Sequence, residues 1–258
     1  MTTDAPASQS VKALAWDYSD RAATYEHRAD YASAAIARLL RHLPNAHAAR
    51  ALDIGAGTGK LTRLLLAAGL RVVAVEPNGS MRNVASKIPL NGDAKWVCGR
   101  AEQLPLKSSS FDLACFGSSF NVVDAARSLD EVSRVLKDDG RLAIIWNHRD
   151  LNDPLQAAVE SVIRANLPDF SHGSRRDDPS AIVLKRNQFV AIDSFRTAFN
   201  FVTTQQHYIA AWRSHATLAR AAGSQLETII DAIANLVPGG EISVPFSTAV
   251  WVFRKHFA

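Results

Sequence analysis

The chain contains 258 residues, of which 47% are hydrophobic, and its 29 basic and 25 acidic side chains give a formal net charge of +4. This length and composition predict one large globular domain, or one domain with an inserted cap. No apolar run approaches the roughly 20 residues of a membrane span. The basic residues are dispersed, and Arg175-Arg176 is followed at once by Asp177-Asp178, so we expect neither a membrane nor a nucleic-acid partner.

Two further features favour a cytoplasmic protein. The first 15 residues are rich in Ser and Ala, lack the basic-then-apolar layout of a signal peptide, and are predicted to form a disordered tail. Cys98 and Cys115 both fall in predicted buried strands. This placement indicates reduced core thiols rather than a disulfide.

The first predicted structure is helical and covers residues 16–43. Tyr18, Arg21, Tyr25 and Arg28 recur at spacings of three and four, which puts them on one helix face. That aromatic and basic face either packs on the domain or covers a bound ligand. An apolar stripe, predicted to face the core, follows at Ile36, Leu39, Leu40 and Leu43.

The next segment is a strand, a glycine-rich turn and a helix. The apolar stretch 49–54 runs into Gly55, Gly57 and Gly59, and a helical pattern begins directly afterwards. This order is typical of the first half of a nucleotide-binding βαβ unit, in which glycines let a ligand approach the backbone. A second short strand ends on Glu76, 21 positions after Gly55. A carboxylate there can accept hydrogen bonds from both hydroxyls of a ribose.

Three nucleotide-binding motifs compete for this loop. The dinucleotide motif G-x-G-x-x-G requires glycine at position 60, where the chain has Lys60. The phosphate-binding motif G-x-x-x-x-G-K-[ST] fails at both ends, at Ile54 and Leu61. The stretch Asp53-Ile54-Gly55-Ala56-Gly57-Thr58-Gly59 resembles, at every position, the G-x-G-x-G loop of class I S-adenosylmethionine-dependent methyltransferases.

Other segments carry the same resemblance, which covers about residues 16–146. The stretch 99–105 is similar to the family segment that frames the adenine, with Arg100 in place of the common Asp. Residues 136–142 resemble the family's Leu-Lys-Pro-Gly-Gly segment, and residues 18–25 look like the N-terminal helix of its small-molecule members. The chain is thus similar to the methyltransferase type 11 group, which includes enzymes of the trans-aconitate methyltransferase kind.

The resemblance implies an α/β fold. We expect a Rossmann-like, doubly wound sheet of seven strands, mostly parallel with an antiparallel last strand, plus an N-terminal helical lid and a helical cap. The expected divisions are a tail at 1–15, a lid at 16–46, a cofactor-binding core at 47–150, and a cap with the last two strands at 151–258. Further strands are predicted at 95–98, 111–116, 141–146, 195–204 and 242–253, and helices at 81–88, 129–136, 152–166, 208–221 and 226–237.

The resemblance also implies a cofactor, S-adenosyl-L-methionine, and a set of residues that contact it. Arg28 would pair with the methionyl carboxylate, and Glu76 with the ribose. The expected cofactor contacts are Tyr18, Arg28, Asp53, Gly55, Ala56, Gly57, Thr58, Gly59, Glu76, Pro77, Met81, Ala101, Glu102 and Ser118.

Candidate acceptor-side residues come from the ends of later strands and from the cap. Tyr25, Asn147, His148 and His215 are candidate bases or orienting groups. Phe120, Asn121 and Trp212 are candidate substrate contacts. No group of His, Cys or carboxylate residues shows metal-ligand spacing, so no metal is expected.

The expected reaction is transfer of the sulfonium methyl to an O, N or C nucleophile of a small organic molecule, such as a natural product or a carboxylate intermediate. The protein is expected to be a monomer or a homodimer. Two alternatives stay open. One is an enzyme that uses the same cofactor without methylating and releases methylthioadenosine. The other is a non-catalytic scaffold that retains the fold.

Overall fold

The computed structural model of the protein describes residues 18–46, 49–92 and 94–256, so the predicted tail at 1–15 lies outside the described residues. This part of the chain contains seven strands and ten α-helices. The strands are β1 (Arg50–Ile54), β2 (Arg71–Val75), β3 (Ala94–Val97), β4 (Phe111–Gly117), β5 (Leu136–Arg149), β6 (Phe189–Thr204) and β7 (Glu241–Lys255). The helices are α1 (Ala22–Tyr25), α2 (Ser33–Leu40), α3 (Lys60–Ala67), α4 (Gly79–Ala85), α5 (Ala125–Val135), α6 (Pro154–Asn166), α7 (Ser180–Leu184), α8 (Gln205–Arg213), α9 (Ala216–Ala222) and α10 (Leu226–Leu236).

The strands form one sheet in the order β3-β2-β1-β4-β5-β7-β6. Strands β1 to β5 run parallel to one another, and β7 is antiparallel to both of its neighbours, β5 and β6. The predicted seven-stranded, mostly parallel sheet with an antiparallel last strand is therefore confirmed. The strand order reverses between β1 and β4, which is where ligands of open α/β sheets bind.

Both faces of the sheet are covered by helices. Alternate residues of β4 point to opposite faces, so Leu113 and Cys115 join one core while Ala114 and Phe116 join the other. Helices α2 and α3 cover the first face, and α5 and α7 cover the second. Because both faces are buried, the central strands are mostly apolar, as is typical of parallel sheets, with exceptions that include Asp53 in β1 and Asp112 in β4.

A third core lies above the carboxyl edge of the sheet. Helices α6, α8, α9 and α10 pack together around Ile163, Trp212, Leu218 and Ile233, which are at most 2% exposed. The beginning of β7 contributes Val244 to the same cluster. We call these helices the cap.

Several predicted boundaries are wrong, each for a local reason. The predicted helix 208–221 is two helices, because the chain breaks at Ser214-His215 and His215 begins α9. The predicted helix over 16–43 is also interrupted, with α1 ending at Tyr25 and α2 beginning at Ser33. Helix α5 begins four residues earlier than predicted, at Ala125, where the Asp124 side chain caps it.

Two other sequence predictions also need correction. Cys98 is exposed at the end of β3, whereas Cys115 is fully buried, as predicted. Strand β5 begins at Leu136 rather than at Arg141, and the residues before Arg141 form a bulge within it, with Asp139 at φ +59°. The strand also continues to Arg149, because its last residues pair with β7. Asn147 and His148 therefore lie within the strand instead of after it.

The extended end of β5 holds the N-terminal segment against the sheet. The Asn147 side chain donates to the Asp30 carbonyl at 2.9 Å and accepts from the Thr248 hydroxyl at 2.6 Å. The same Thr248 oxygen accepts the Ala32 backbone N–H at 2.8 Å, and Thr248 is fully buried. We call the segment 29–32 the strap, since these bonds fix it across the carboxyl edge of β5 and β7.

Thr248→Val should destabilise the protein by about 1–3 kcal/mol, because it leaves the Ala32 N–H and the Asn147 amide oxygen without their partner while keeping the side-chain shape. Urea denaturation measures this change in the free energy of unfolding. Thr197→Val is the matched control, since Thr197 pairs with Thr248 across β6 and β7 and no side-chain hydrogen bond of it is seen in the described part of the chain. Equal losses in the two variants would contradict the role given to the strap.

Candidate functional site: two adjoining cavities

The glycine loop follows β1 at the carboxyl edge of the sheet. Gly55, Gly57 and Gly59 all have positive φ, of +69°, +60° and +89°, which only glycine adopts without strain. A β-carbon at Gly55 would lie 2.7 Å from the Ser119 β-carbon, so packing excludes a side chain there. A β-carbon at Gly57 would come no closer to a described neighbour than 3.9 Å, from Tyr25 Cε1. Gly57 thus leaves its space open toward a ligand.

Glu76 lies at the end of β2 and orders the backbone around it. Its carboxylate accepts the Gly57 N–H at 2.9 Å and the Asn78 N–H at 2.8 Å. Burial raises the pKa of this carboxyl group, and the two backbone donors partly offset the rise. The Asn78 side chain in turn caps α4 by accepting the Met81 N–H. Glu76 is therefore fixed in position at the mouth of the glycine loop.

These elements enclose a first cavity of about 880 Å³, which we call the loop cavity. Its walls come from the ends of β1, β2 and β4 and from the loops that follow them. Most of the predicted cofactor contacts line it, namely Tyr18, Gly55, Gly57, Glu76, Pro77, Met81, Ala101, Glu102 and Ser118.

A second cavity of about 1060 Å³, the cap cavity, lies between the sheet edge and the cap helices. It is lined by three further predicted cofactor contacts, Arg28, Asp53 and Ala56, and by the predicted acceptor-side residues Tyr25, Asn147, His148, Trp212 and His215. The two cavities share a wall formed by Tyr25, Gly55, Gly117 and Ser118. A ligand in one would therefore adjoin a ligand in the other.

Four predicted site residues line neither cavity. Thr58 and Gly59 are buried at the end of the loop, where Gly59 packs against Trp96. Phe120 is buried edge-on against Phe116, with ring centroids 5.2 Å apart. Asn121, beside it in the short 3-10 helix, has a buried Oδ1 without a hydrogen-bond partner among the described residues.

Asp53 is a buried carboxyl group at the floor of the cap cavity. It is 1% exposed, and its Oδ2 accepts the Thr62 hydroxyl at 2.6 Å. Burial raises its pKa to about 7; the Thr62 hydrogen bond opposes the rise, and the charge of Glu76 adds to it. Such a group is stabilised as a carboxylate when a cation lies against it.

The candidate catalytic residues differ in what their side chains already bind. The Asn147 amide holds the strap and Thr248, as described above. His215 Nδ1 accepts the Leu218 N–H at 3.2 Å and so caps α9. His148 is 6% exposed, and its Nε2 has no hydrogen-bond partner in the described ranges. Burial, followed by the nearby charges of Arg176, Arg196 and Arg175, lowers its pKa to about 3, so it is neutral at pH 7.

The cap cavity also contains residues that the sequence did not single out. Arg149, Gln156, Arg175 and Arg176 all line it. Arg149 directly follows His148 in β5, so its position could have been inferred from the longer strand. Arg175 and Arg176 are partly buried, whereas the neighbouring Asp177 and Asp178 are exposed. Of this run of four residues, only the two arginines line the cavity, so charges that balance in the sequence do not balance at the cavity.

No helix in the described residues combines the length and the apolar character that a bilayer span requires. Among these same residues, no cluster of three or more His, Cys, Asp or Glu side chains could hold a metal ion.

Comparison with known proteins identifies the sheet segment. Residues 52–144 match the family model described as a methyltransferase domain. An uncharacterized methyltransferase of Mycobacterium tuberculosis is 44% identical over 106 residues, which cover 41% of this chain and 42% of that protein. A ubiquinone/menaquinone biosynthesis C-methyltransferase of Marinomonas is 36% identical over 156 residues, or 54% of this chain and 61% of that one. The chain thus spans less than two thirds of the length of these relatives.

Solved structures agree with the fold over most of the chain. A proposed type II methyltransferase of Anaeromyxobacter dehalogenans superposes with a TM-score of 0.65 and 20% identity, over 88% of this chain and 97% of that one. The YcgJ protein of Bacillus subtilis gives a TM-score of 0.54 at the same identity. The family match confirms the resemblance to class I S-adenosylmethionine-dependent methyltransferases over residues 52–144, and the solved structures confirm the fold.

Asp53→Asn should stabilise the protein at pH 8 but not at pH 4. The folded-state pKa of about 7 lies above the unfolded value of 3.8, so the wild type loses stability as pH rises through this interval. Asn does not titrate and can still accept the Thr62 hydroxyl. Since each pKa unit corresponds to about 1.4 kcal/mol, the gain should be on the order of 2–4 kcal/mol above pH 7.

Urea unfolding at several pH values checks this expectation. Asp112→Asn is the control of opposite sign, because a hydrogen bond from Lys137, acting against partial burial, holds the pKa of Asp112 below its usual value. That variant should be less stable than wild type at pH 4 and above, and the difference should shrink as pH falls below 3.8. A pH-independent effect of Asp53→Asn would contradict the buried, proton-holding state of Asp53.

Proposed function

We propose that the protein transfers the methyl group of S-adenosyl-L-methionine to an O, N or C nucleophile of a small organic molecule. The cofactor would bind in the loop cavity, and the acceptor in the cap cavity. The observation that carries this proposal is the shared wall of Tyr25, Gly55, Gly117 and Ser118. Direct transfer requires donor and acceptor to meet in line. Two cavities that have lining residues in common would bring the two ligands together at those residues.

The residues of the loop cavity fit this cofactor. Gly57 leaves open the space that a side chain would fill, and Glu76 presents a fixed carboxylate to ribose hydroxyls. Met81 is buried at the start of α4 and lines the cavity beside Ala101, which suits an adenine ring. In the cap cavity, two residues before Gly55 of the shared wall, buried Asp53 would be stabilised by the methionyl ammonium group.

Arg28 supports a second contact with the cofactor. Its side chain is held by Ser214 of the cap, at 2.8 Å to the hydroxyl and 2.6 Å to the carbonyl, and it stacks on the Tyr25 ring at 4.4 Å. These contacts use the Nε and Nη2 atoms. The predicted pairing with the methionyl carboxylate would then fall to Nη1.

When bound, S-adenosyl-L-methionine supplies a methyl group on a sulfonium that is open to in-line displacement. Positioning by the chain does much of the remaining work. Tyr31 of the strap donates a hydrogen bond to the Ser118 hydroxyl of the shared wall at 3.0 Å, and this contact would help to keep water from the reacting centre. His148 and Tyr25 are the candidate proton acceptors, since the Asn147 amide and His215 Nδ1 are already engaged.

The unpaired state of both thiols supports a reducing, cytoplasmic location, because neither Cys98 nor Cys115 forms a disulfide among the described residues. The protein would act there as a monomer or homodimer.

The two alternatives, a non-methylating enzyme and a non-catalytic scaffold, differ from this function in what they release from the cofactor. Loss of the aminobutyryl arm would release methylthioadenosine, whereas methyl transfer releases S-adenosylhomocysteine. A scaffold would release neither. The test incubates the full chain with S-adenosyl-L-methionine and mixtures of small organic acceptors, and both products are measured by mass spectrometry. Acceptor-dependent S-adenosylhomocysteine supports the proposal, and methylthioadenosine would replace it with the lyase function.

Glu76→Ala should weaken cofactor binding by about 1.5–3 kcal/mol, or roughly 10- to 150-fold, because two ribose hydroxyls lose a charged acceptor. Calorimetric titration with S-adenosyl-L-methionine measures the dissociation constant. Asp112→Ala is the matched control, since this carboxylate also accepts a backbone N–H, from Arg50 at 2.8 Å, but lies near the opposite ends of the strands. If both variants bind the cofactor as wild type does, Glu76 does not hold the ribose.

A further inference from the structure

Four buried nitrogen atoms in the cap cavity have no hydrogen-bond partner in the part of the chain that the structure describes. They are Arg149 Nε, Gln156 Nε2, Trp212 Nε1 and His148 Nε2, and all four side chains line the cavity. Gln156 is 1% exposed and Trp212 is 2% exposed. Buried polar atoms are normally paired, and each unpaired one costs about 1–3 kcal/mol. The Arg149, Gln156 and Trp212 N–H groups can only donate, so the partner missing from these three is a hydrogen-bond acceptor, whereas neutral His148 Nε2 donates or accepts according to its tautomer.

The charge of the cavity indicates which kind of acceptor. Its lining includes four arginines, Arg28, Arg149, Arg175 and Arg176, and none of them forms an ion pair with a described residue. The lining also includes two carboxyl groups: Glu160 already binds His172 at 2.6 Å, and Asp53 accepts the Thr62 hydroxyl at 2.6 Å. The one lining lysine is likewise bonded to Asp30, at 2.9 Å.

The arginines are close enough to disfavour one another's charge. Burial, followed by the charges of Arg28, Arg175 and Arg176, lowers the pKa of Arg149 to about 10. Burial and Arg28 likewise lower the pKa of Arg175. An anion placed among these groups would relieve both the repulsion and the desolvation.

An aromatic surface borders the same position. The Arg149 guanidinium stacks on the Trp212 ring at 4.0 Å and lies 5.6 Å from the Phe246 ring. The His215 ring is 5.4 Å from Trp212. A flat, apolar group attached to the anion would therefore meet ring faces beside the guanidinium.

We propose that the cap cavity binds the acceptor through an oxyanion, a carboxylate or a phosphate, joined to a planar apolar group. Arg149 and Arg175 neutralise the oxyanion, and Gln156 and Trp212 donate hydrogen bonds to it. The planar group lies against Trp212 and Phe246. The oxyanion is an anchor at the cap side, and the nucleophile to be methylated points toward the shared wall. This assignment of the anchored molecule as an acceptor rests on the proposed function, whereas the anion site itself does not.

Binding of simple probes tests the anion site. Benzoate, phenyl phosphate and the neutral benzamide are titrated separately into the full chain, without cofactor, by calorimetry. We expect at least one of the two anions to bind at least tenfold more tightly than benzamide, and more weakly as salt is raised. The preferred anion identifies carboxylate or phosphate as the anchor. Equal binding of benzamide, or no measurable binding of either anion, would overturn the proposal.

A single substitution separates loss of the site from loss of the fold. Gln156→Glu keeps the oxygen that accepts the Tyr208 hydroxyl at 2.9 Å, and it puts a carboxylate in place of the unpartnered amide nitrogen. The variant should bind the preferred probe at least tenfold more weakly. Its melting temperature should rise, because the new charge pairs with the arginines. Unchanged probe affinity would refute the assignment.

Gln225→Glu is the matched control. Gln225 is exposed at the start of α10, so this change adds the same charge outside the cavity and should leave probe binding as in the wild type. Cofactor affinity is measured on the same three proteins. If the wild type binds the probe but not S-adenosyl-L-methionine, the proposed function fails and the anion site stands. If cofactor binds and the anions do not, the anion site fails alone.

Discussion

The site depends on the antiparallel pairing of β5 with β7. This pairing runs from Arg141 opposite Arg254 to Arg149 opposite Phe246, past the point where the parallel strands end. It carries three consecutive residues of β5 beyond the sheet edge and into the space under the cap. Asn147 meets its register partner Thr248 there and holds the strap, while His148 and Arg149 reach the cap cavity. Without the added strand, β5 would end at the edge and the cap would have no support from the sheet.

The parts of the molecule that could be predicted from sequence are those specified locally. The glycine loop, the strand that ends on Glu76 and the apolar runs of β1 and β4 each require particular residues within a few positions, so pattern alone identifies them. The fold class follows from their order. The parts that could not be predicted depend on distant partners. The length of β5 is set by β7, about a hundred residues later, and the break between α8 and α9 depends on the cap that His215 forms.

Charge patterns in the sequence were less informative than spacing, for a physical reason. Arg175-Arg176 and Asp177-Asp178 are adjacent in the chain, and in an unfolded segment their charges would cancel. The short 3-10 helix of Gly173–Arg176 turns the arginines into the cap cavity, while Asp178 accepts the Ser180 N–H at the start of α7. Because a partly buried charge interacts far more strongly than an exposed one, the arginines of this run contribute to the field of the cavity and the two aspartates contribute little.

The same groups that make the site costly to the folded protein explain how it would discriminate between ligands. Buried Asp53 favours a cation at the floor, while unpaired donors and crowded arginines favour an anion near the cap. Both preferences arise in the lining of the cap cavity. A zwitterionic cofactor arm with its ammonium group at Asp53 and a carboxylate toward Arg28 would satisfy the first preference, and an anionic acceptor would satisfy the second. A neutral molecule would leave both unpaired, so selection arises from the desolvation that only the matching charges can offset.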